Sequence, residues 1–250
     1  MRKGHFLTER TVVHAFPGAT ALTVLDVYDW TTPDGLRGGS AHVHLASAEG
    51  YLVLAGAGRL QTLGAAGYAE SELRPGDCLW FTPGVIHRLV NEGGLRLLVV
   101  MQNAGLPEAG DAVLTFPPEI LADPVAYARA AALPASDSAD VADAARRRRD
   151  LALEGYLTLR DGGPAAVQAF HAAAAALVAG RVPQWRERWR AGPLAVVEAT
   201  GRHLDRLARG DAGGLAEGVT RRIVRPKKDT RRYGMCGLLT GYDPASAVSP

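Results

Sequence analysis

Two patterns of apolar positions divide the chain. From residue 10 to about residue 116, short apolar runs alternate with Gly-, Pro- and Asp-containing breaks. The runs at 11–16 and 21–28 are strand-like and joined by Pro17-Gly18, which predicts a hairpin. Further strands are predicted at 41–45, 51–54, 59–63, 78–81 and 85–90, with turns at Gly56-Ala57-Gly58, 64–67 and Pro75-Gly76. Residues 95–101 are apolar at nearly every position, so both faces of that strand are expected to be covered, one by the barrel interior and one by a partner subunit or the C-terminal half. Regularly spaced short strands separated by turn signals point to an all-β sandwich or barrel. After Phe116-Pro117-Pro118 the composition shifts to Ala, Arg, Asp and Leu, and the spacing becomes helical. Helices are expected over 119–133, 139–160, 164–179, 183–191 and 194–209, each bounded by Gly or Pro. The predicted organisation is a β-barrel domain at 1–117 and a mainly helical extension at 118–250 ending in a basic arm.

Within the β half, His42 and His44 are two apart on one predicted strand and so project from the same face. Glu49 follows a short break and opens the next strand, from which a carboxylate can reach the same point. Imidazole and carboxylate suit a divalent transition metal, and three such groups call for one or two more. The fourth candidate is His87, just after the turn Pro83-Gly84. Strand parity puts Tyr51 and Val53 on the face of Glu49, and Leu89 and Asn91 on that of His87. Tyr51 is a candidate to orient a substrate, or a filler of the barrel; Asn91 is a candidate to support a ligand from behind. Val53 and Leu89 would form apolar walls.

These residues carry a resemblance to the cupin superfamily. Its first motif is matched in spacing by His42, His44, Glu49 and Gly56, although Leu36 stands at the position of the leading glycine. Its second motif is matched by Gly76, Gly84, His87 and Asn91, with Thr82 where proline is expected. The departures fall on loop positions, and the four ligand types are all present. The resemblance covers the first half of the chain and implies a jelly-roll β-barrel with one divalent metal held by His42, His44, Glu49 and His87. Four protein ligands would leave a six-coordinate ion two open positions, as an active site needs and a closed structural zinc site does not. Fe(II) is favoured, with Zn, Mn, Ni or Co as alternatives. The favoured reaction is that of a mononuclear Fe(II) dioxygenase on a small organic substrate, with dioxygen as the second reactant. The alternatives are a non-redox isomerase, lyase or cyclase, and a small-molecule-binding sensor.

Composition narrows this picture little. The chain has 250 residues, 47% hydrophobic and 22% charged, as in ordinary globular proteins. A net charge of +2 gives no reason to expect nucleic-acid binding. No apolar run looks long enough to span a bilayer, and Thr8-Glu9-Arg10 interrupts the N-terminus where a signal peptide would be apolar, so the expected location is the cytoplasm and no membrane is expected as a partner. Cys78 and Cys236 form no paired motif, and Cys78 is expected as a small core residue. The loop 31–40 is a candidate gate at the barrel mouth. Arg146 to Arg149 fan around a helix and read as a solvated or interface helix. Trp185 and Trp189 share a helix face, and His171 and His203 are expected in structural roles. The arm at 221–232 is read as a solvated tail, a clasp on an acidic surface, or an anion-binding arm. A homodimer is expected.

Overall fold

The computed structural model describes residues 16–135, 137–224 and 231–248. Residues 11–15 of the expected first hairpin, and 225–230 at the centre of the basic arm, lie outside them. Seven strands come first: β1 (Ala21–Val27), β2 (His42–His44), β3 (Glu49–Gly64), β4 (Gly67–Leu73), β5 (Cys78–Phe81), β6 (Ile86–Met101) and β7 (Ala112–Leu114). Helices follow as α1 (Pro118–Leu121), α2 (Pro124–Ala131), α3 (Val141–Val178), α4 (Val182–Trp189) and α5 (Ala195–Ala208). The helix α3 breaks at Gly163, where the backbone leaves helical geometry just before Pro164, so it is the two helices the sequence predicts, set end to end.

The barrel is built from one long hairpin. The strands β3 and β6 have 16 residues each and pair antiparallel along their lengths. A straight strand of that length would span roughly 50 Å. His87 is paired with Thr62, near the far end of β3 from Glu49, yet the His87 and Glu49 side chains approach to 3.1 Å. The hairpin must therefore fold over on itself. It does so where the register shifts between Val53 and Gly58. Gly56 sits there with φ of 77°, and a Cβ on it would lie 2.2 Å from the Gly94 carbonyl oxygen, so only glycine fits the bend. One folded half carries β1 and β5, and the other carries β2 and β4, with β7 beyond β2.

Two apolar cores result. The barrel interior holds Leu25, Val27, Tyr51, Val53, Leu60, Phe81, Leu89, Leu97 and Met101. The second core lies between the outer face of the β2 half and the helices, where Val43, Leu63, Ile86 and Val113 meet Phe116, Tyr127, Leu153, Tyr156, Phe170 and Trp185. Strand alternation makes this possible, because His42 and His44 face inward while Val43 between them faces the helices.

Several expectations change. The segment expected as helical extension and arm returns to the barrel as β8 (Arg232–Tyr233) and β9 (Gly237–Tyr242). The strand β9 pairs antiparallel with β1, covering backbone groups that β1 would otherwise leave open on the side away from β6. The loop 31–40 is not a free gate. Thr32 and Asp34 are bonded to Arg88, Gly38 bridges Val90, and Gly39 is wedged against Cys236 with no room for a Cβ. The arginine run on α3 is an interface. Arg149, 2% exposed, donates to the carbonyls of Trp30 and Thr31, Arg148 to those of Ala131 and Gly234, and Arg146 lies 4.5 Å above the Trp30 ring. Cys78 is exposed instead of buried, because among the described residues β5 pairs only with β3 and alternation turns that residue outward. The helical run Val141–Ala208 also contains one stretch long and apolar enough to cross a membrane by composition alone. Part of its apolar content, Val167, Phe170, Ala174 and Leu177, packs into the sheet–helix core.

Candidate metal centre

His42 and His87 are paired residues on neighbouring strands β2 and β6, and His44 lies two residues further along β2. The fold of the long hairpin brings Glu49, at the start of β3, over them. All four side chains are buried, and one donor atom from each lies within 4.8 Å of the others. The turn that presents His87 is anchored on both sides: the Gly84 N–H donates to the His44 carbonyl, and His171 Nε2 on α3 donates to the Gly84 carbonyl. His171 thus has the structural role expected of it.

Hydrogen bonding fixes which nitrogen each imidazole turns to the centre. Nδ1 of His42 faces the Ser40 carbonyl at 3.2 Å, Nδ1 of His87 the Val85 carbonyl at 3.1 Å, and Nδ1 of His44 the Asp111 carboxylate at 2.8 Å. Oxygens of these kinds accept, so in the neutral rings Nδ1 carries the proton and Nε2 an open lone pair. Nε2 of His87 and of His44 lie 3.1 and 3.4 Å from Oε2 of Glu49. Glu49 Oε2 and His87 Nε2 are buried without a hydrogen-bond partner. Lone pairs facing one another at that distance out of water are unfavourable unless a cation or a proton lies between them. The donor set and its orphaned atoms therefore fit a divalent metal ion, with three imidazoles and a carboxylate as its ligands.

Electrostatics of the cluster agree with its crowding. Burial, with His87 and His44 close by, pushes the His42 imidazole well below its usual range. Burial would lower His44 as well, but the bond to Asp111 and the charge of Glu49 outweigh it and raise the group. Burial would lift the Glu49 carboxyl, yet the neighbouring imidazoles of His87 and His44 hold it below the ordinary carboxylate value.

Around the ligands, Tyr51 shares the inward face of Glu49 and is 1% exposed, with its hydroxyl beside the Glu49 carboxylate. Burial, then the charge of Glu49, pushes this phenol well above its usual range. Val53 and Leu89 line the same interior core. Asn91 does not touch a ligand. Its amide donates to the carbonyls of Val27 and Tyr28 and accepts from the N–H groups of Gly93 and Leu95, bracing β1 against the bend of β6. Three neighbours occupy positions that the two motifs do not specify. The Phe81 ring lies 4.2 Å from that of His87, Asp111 holds His44, and Cys236 Sγ lies 4.0 Å from His42 Nδ1. Burial, then the charge of Glu49, keeps the Cys236 thiol far above its usual range.

Residues 29–101 match the family model of the cupin domain. No curated protein matches the chain. Among solved structures it is similar to a protein with a double-stranded β-helix domain from Klebsiella pneumoniae, at 19% identity over 33% of this chain and 66% of that one, TM-score 0.27. It is likewise similar to a cupin protein from Bacteroides fragilis, at 22% identity over 34% of this chain and 65% of that one, TM-score 0.26. A nucleoside dehydratase, also solved from Streptomyces with uridine bound, matches at 14% identity over 38% of this chain and 66% of that one, TM-score 0.30. The chain spans just under two thirds of the length of these structures.

Proposed function

We propose that the chain, whose residues 29–101 match the cupin-domain model, is a metal-dependent enzyme acting on a small organic metabolite, with Fe(II) dioxygenase chemistry favoured. His42, His44, Glu49 and His87 would hold one divalent ion. The observation that carries this reading is the set of four buried donor atoms within 4.8 Å, of which Glu49 Oε2 and His87 Nε2 have no other partner. When bound, such an ion supplies Lewis acidity and exchangeable positions for substrate, and iron adds redox chemistry with dioxygen. The chain's own residues do the rest. Val53, Phe81, Leu89 and Met101 make apolar walls that keep water from the reacting groups. Tyr51, held protonated at neutral pH, donates to a substrate oxygen.

The choice of an oxygenase rests on the supply of bases. Among the described residues, the buried titratable groups beside the ligands are Tyr51, Cys236 and Asp111. Tyr51 and Cys236 are proton donors in their ordinary neutral state, and Asp111 is bonded to His44, so the surroundings of the ligands supply little general-base capacity for an isomerase or cyclase, which supports the oxygenase reading. One observation favours the non-redox reading with Zn, Mn, Ni or Co. The Tyr51 hydroxyl, buried beside Glu49, supports that reading as a proton donor to a leaving oxygen.

Metal analysis of the protein purified without added metal, beside His42→Ala and Glu49→Ala, separates these readings. We expect near-stoichiometric iron lost in both variants, and oxygen consumption that depends on Fe(II). Full turnover under strict anaerobiosis, or with zinc in place of iron, would move the assignment to a Lewis-acid enzyme. A protein that takes up no metal even on reconstitution would be a ligand-binding sensor module instead. We also infer a homodimer through the outer face of β5 and the first half of β3, where Leu52, Leu54 and Trp80 are exposed, Trp80 at 75%, beside half-buried Leu98 and Val100. The expected mass in solution is twice the 26.4 kDa of the chain, falling to the monomer value in Trp80→Ser.

A further inference from the structure

Three imidazoles meet at the centre, but only one of them leans on a charge. The Nδ1 partners of His42 and His87 are backbone carbonyls two residues back along their own segments, at Ser40 and Val85. His44 instead bonds the carboxylate of Asp111, which lies 67 positions away in the chain and is 0% exposed. We propose that Asp111 is a positioning residue of the metal centre, which fixes the ring of His44 and makes it the strongest electron donor among the three imidazoles. The inference rests on the metal reading above and goes beyond it, since Asp111 lies outside both motifs and touches no donor atom of the centre.

The loop around Asp111 does not need its side chain. Asp111 N–H donates to the Leu106 carbonyl, its carbonyl accepts from Leu45 N–H, and Gly110 N–H donates to Pro107. From outside, Trp185 Nε1 on α4 donates to the Ala109 carbonyl. The backbone is held, and among the described residues the carboxylate has His44 as its only hydrogen-bond partner, its second oxygen Oδ2 being buried and unpaired. A buried carboxylate with a single bond is costly to keep. Such a group is expected where the imidazole it bonds must be oriented and polarised toward a cation on its far side, the arrangement in which a carboxylate behind a ligating histidine raises its basicity. The bond also ties the centre to the helical half, because α4 holds the same loop through Trp185.

The test is the affinity of the purified protein for Zn(II) and Co(II), measured by competition with a chelating dye, in the wild type, Asp111→Asn and Asp111→Ala. Asparagine keeps an acceptor and the shape but removes the charge. We expect about 10-fold weaker binding for Asp111→Asn and up to about 100-fold for Asp111→Ala. The visible absorption bands of the Co(II) form should shift in Asp111→Asn, and the thermal unfolding midpoint of the metal-free protein should track neither change. Wild-type affinity and an unshifted Co(II) spectrum in a folded Asp111→Asn would overturn the proposal. So would an affinity loss in Asp111→Ala that merely follows its loss of thermal stability. A wild type that binds neither metal would instead overturn the metal reading on which the proposal stands.

Discussion

His87 and Arg88 are consecutive on β6 and equally hidden from solvent, at 0% each, yet alternation sends them into different regions. His87 faces the barrel interior and leaves its Nε2 unpaired beside an unpaired carboxylate oxygen. Arg88 faces the helical side. It directs one Nη nitrogen to Asp34 at 2.6 Å and the other to Thr32 at 2.9 Å, and reaches Gln61 as well. Arg149 on α3 is treated similarly, with both Nη nitrogens on the carbonyls of Trp30 and Thr31. Burial alone thus does not mark a functional group. Charges that meet their partners within the fold hold elements together, whereas polar atoms that converge unpaired on one point leave a place for something from outside.

Exchanging each residue for leucine would break this comparison or sharpen it, and the largest effect is expected on the helical side. Arg88→Leu leaves the buried Thr32 and Gln61 side chains without their partner and Asp34 without its counter-charge, and should cost about 2 kcal/mol of stability in urea unfolding, without removing any metal ligand. His87→Leu should have the opposite profile. It removes a crowded imidazole, so the metal-free protein should change by about 1 kcal/mol or less, while stoichiometric metal uptake is lost. Equal destabilisation by both would mean that the interior polar cluster is as structural as the outer pair.

A smaller effect is expected from pH. Burial would lift the Asp34 carboxyl, but the bonds and charge of Arg88 and the Thr32 hydroxyl bring it from 3.8 down to about 2. A carboxylate depressed in the folded state adds stability that is fully present above pH 3.8 and disappears as pH falls through about 2. Partial access to solvent limits this to about 1 kcal/mol. The expected outcome is an acid-side loss of stability between those values in the wild type, absent from Asp34→Asn, read from unfolding midpoints across pH.

The comparison also explains what could be read from sequence. His42, His44, Glu49 and His87 were legible because two-residue alternation and motif spacing are local properties of strands, and the barrel follows from the turns between them. Asp111, Phe81 and Cys236 were not, since each reaches the centre through pairing that no local pattern encodes; Cys236 arrives 194 positions after His42. The arginines at 88 and 149 look like surface charge until the segment at 30–34, which both of them bond, is known to lie between the sheet and α3. The place of β9 beside β1 was not legible either, because it depends on an open edge formed more than half a chain earlier. Cys78 was misplaced because parity on a short edge strand depends on which neighbour it pairs with.

The pairing of β1 with β9 also has a consequence for how the protein is made. These are the first and last long strands of the described chain, and they are neighbours in one sheet. Contacts so far apart in sequence form late, because closing a long loop is paid for in entropy before any bond returns it. During synthesis the imidazoles of β2 and β6 emerge well before the strand that completes the wall next to them and brings Cys236 against His42. Until β9 pairs with β1, the side of β1 away from β6 has no strand beside it, so the wall near the centre is completed by a segment synthesised after the helices.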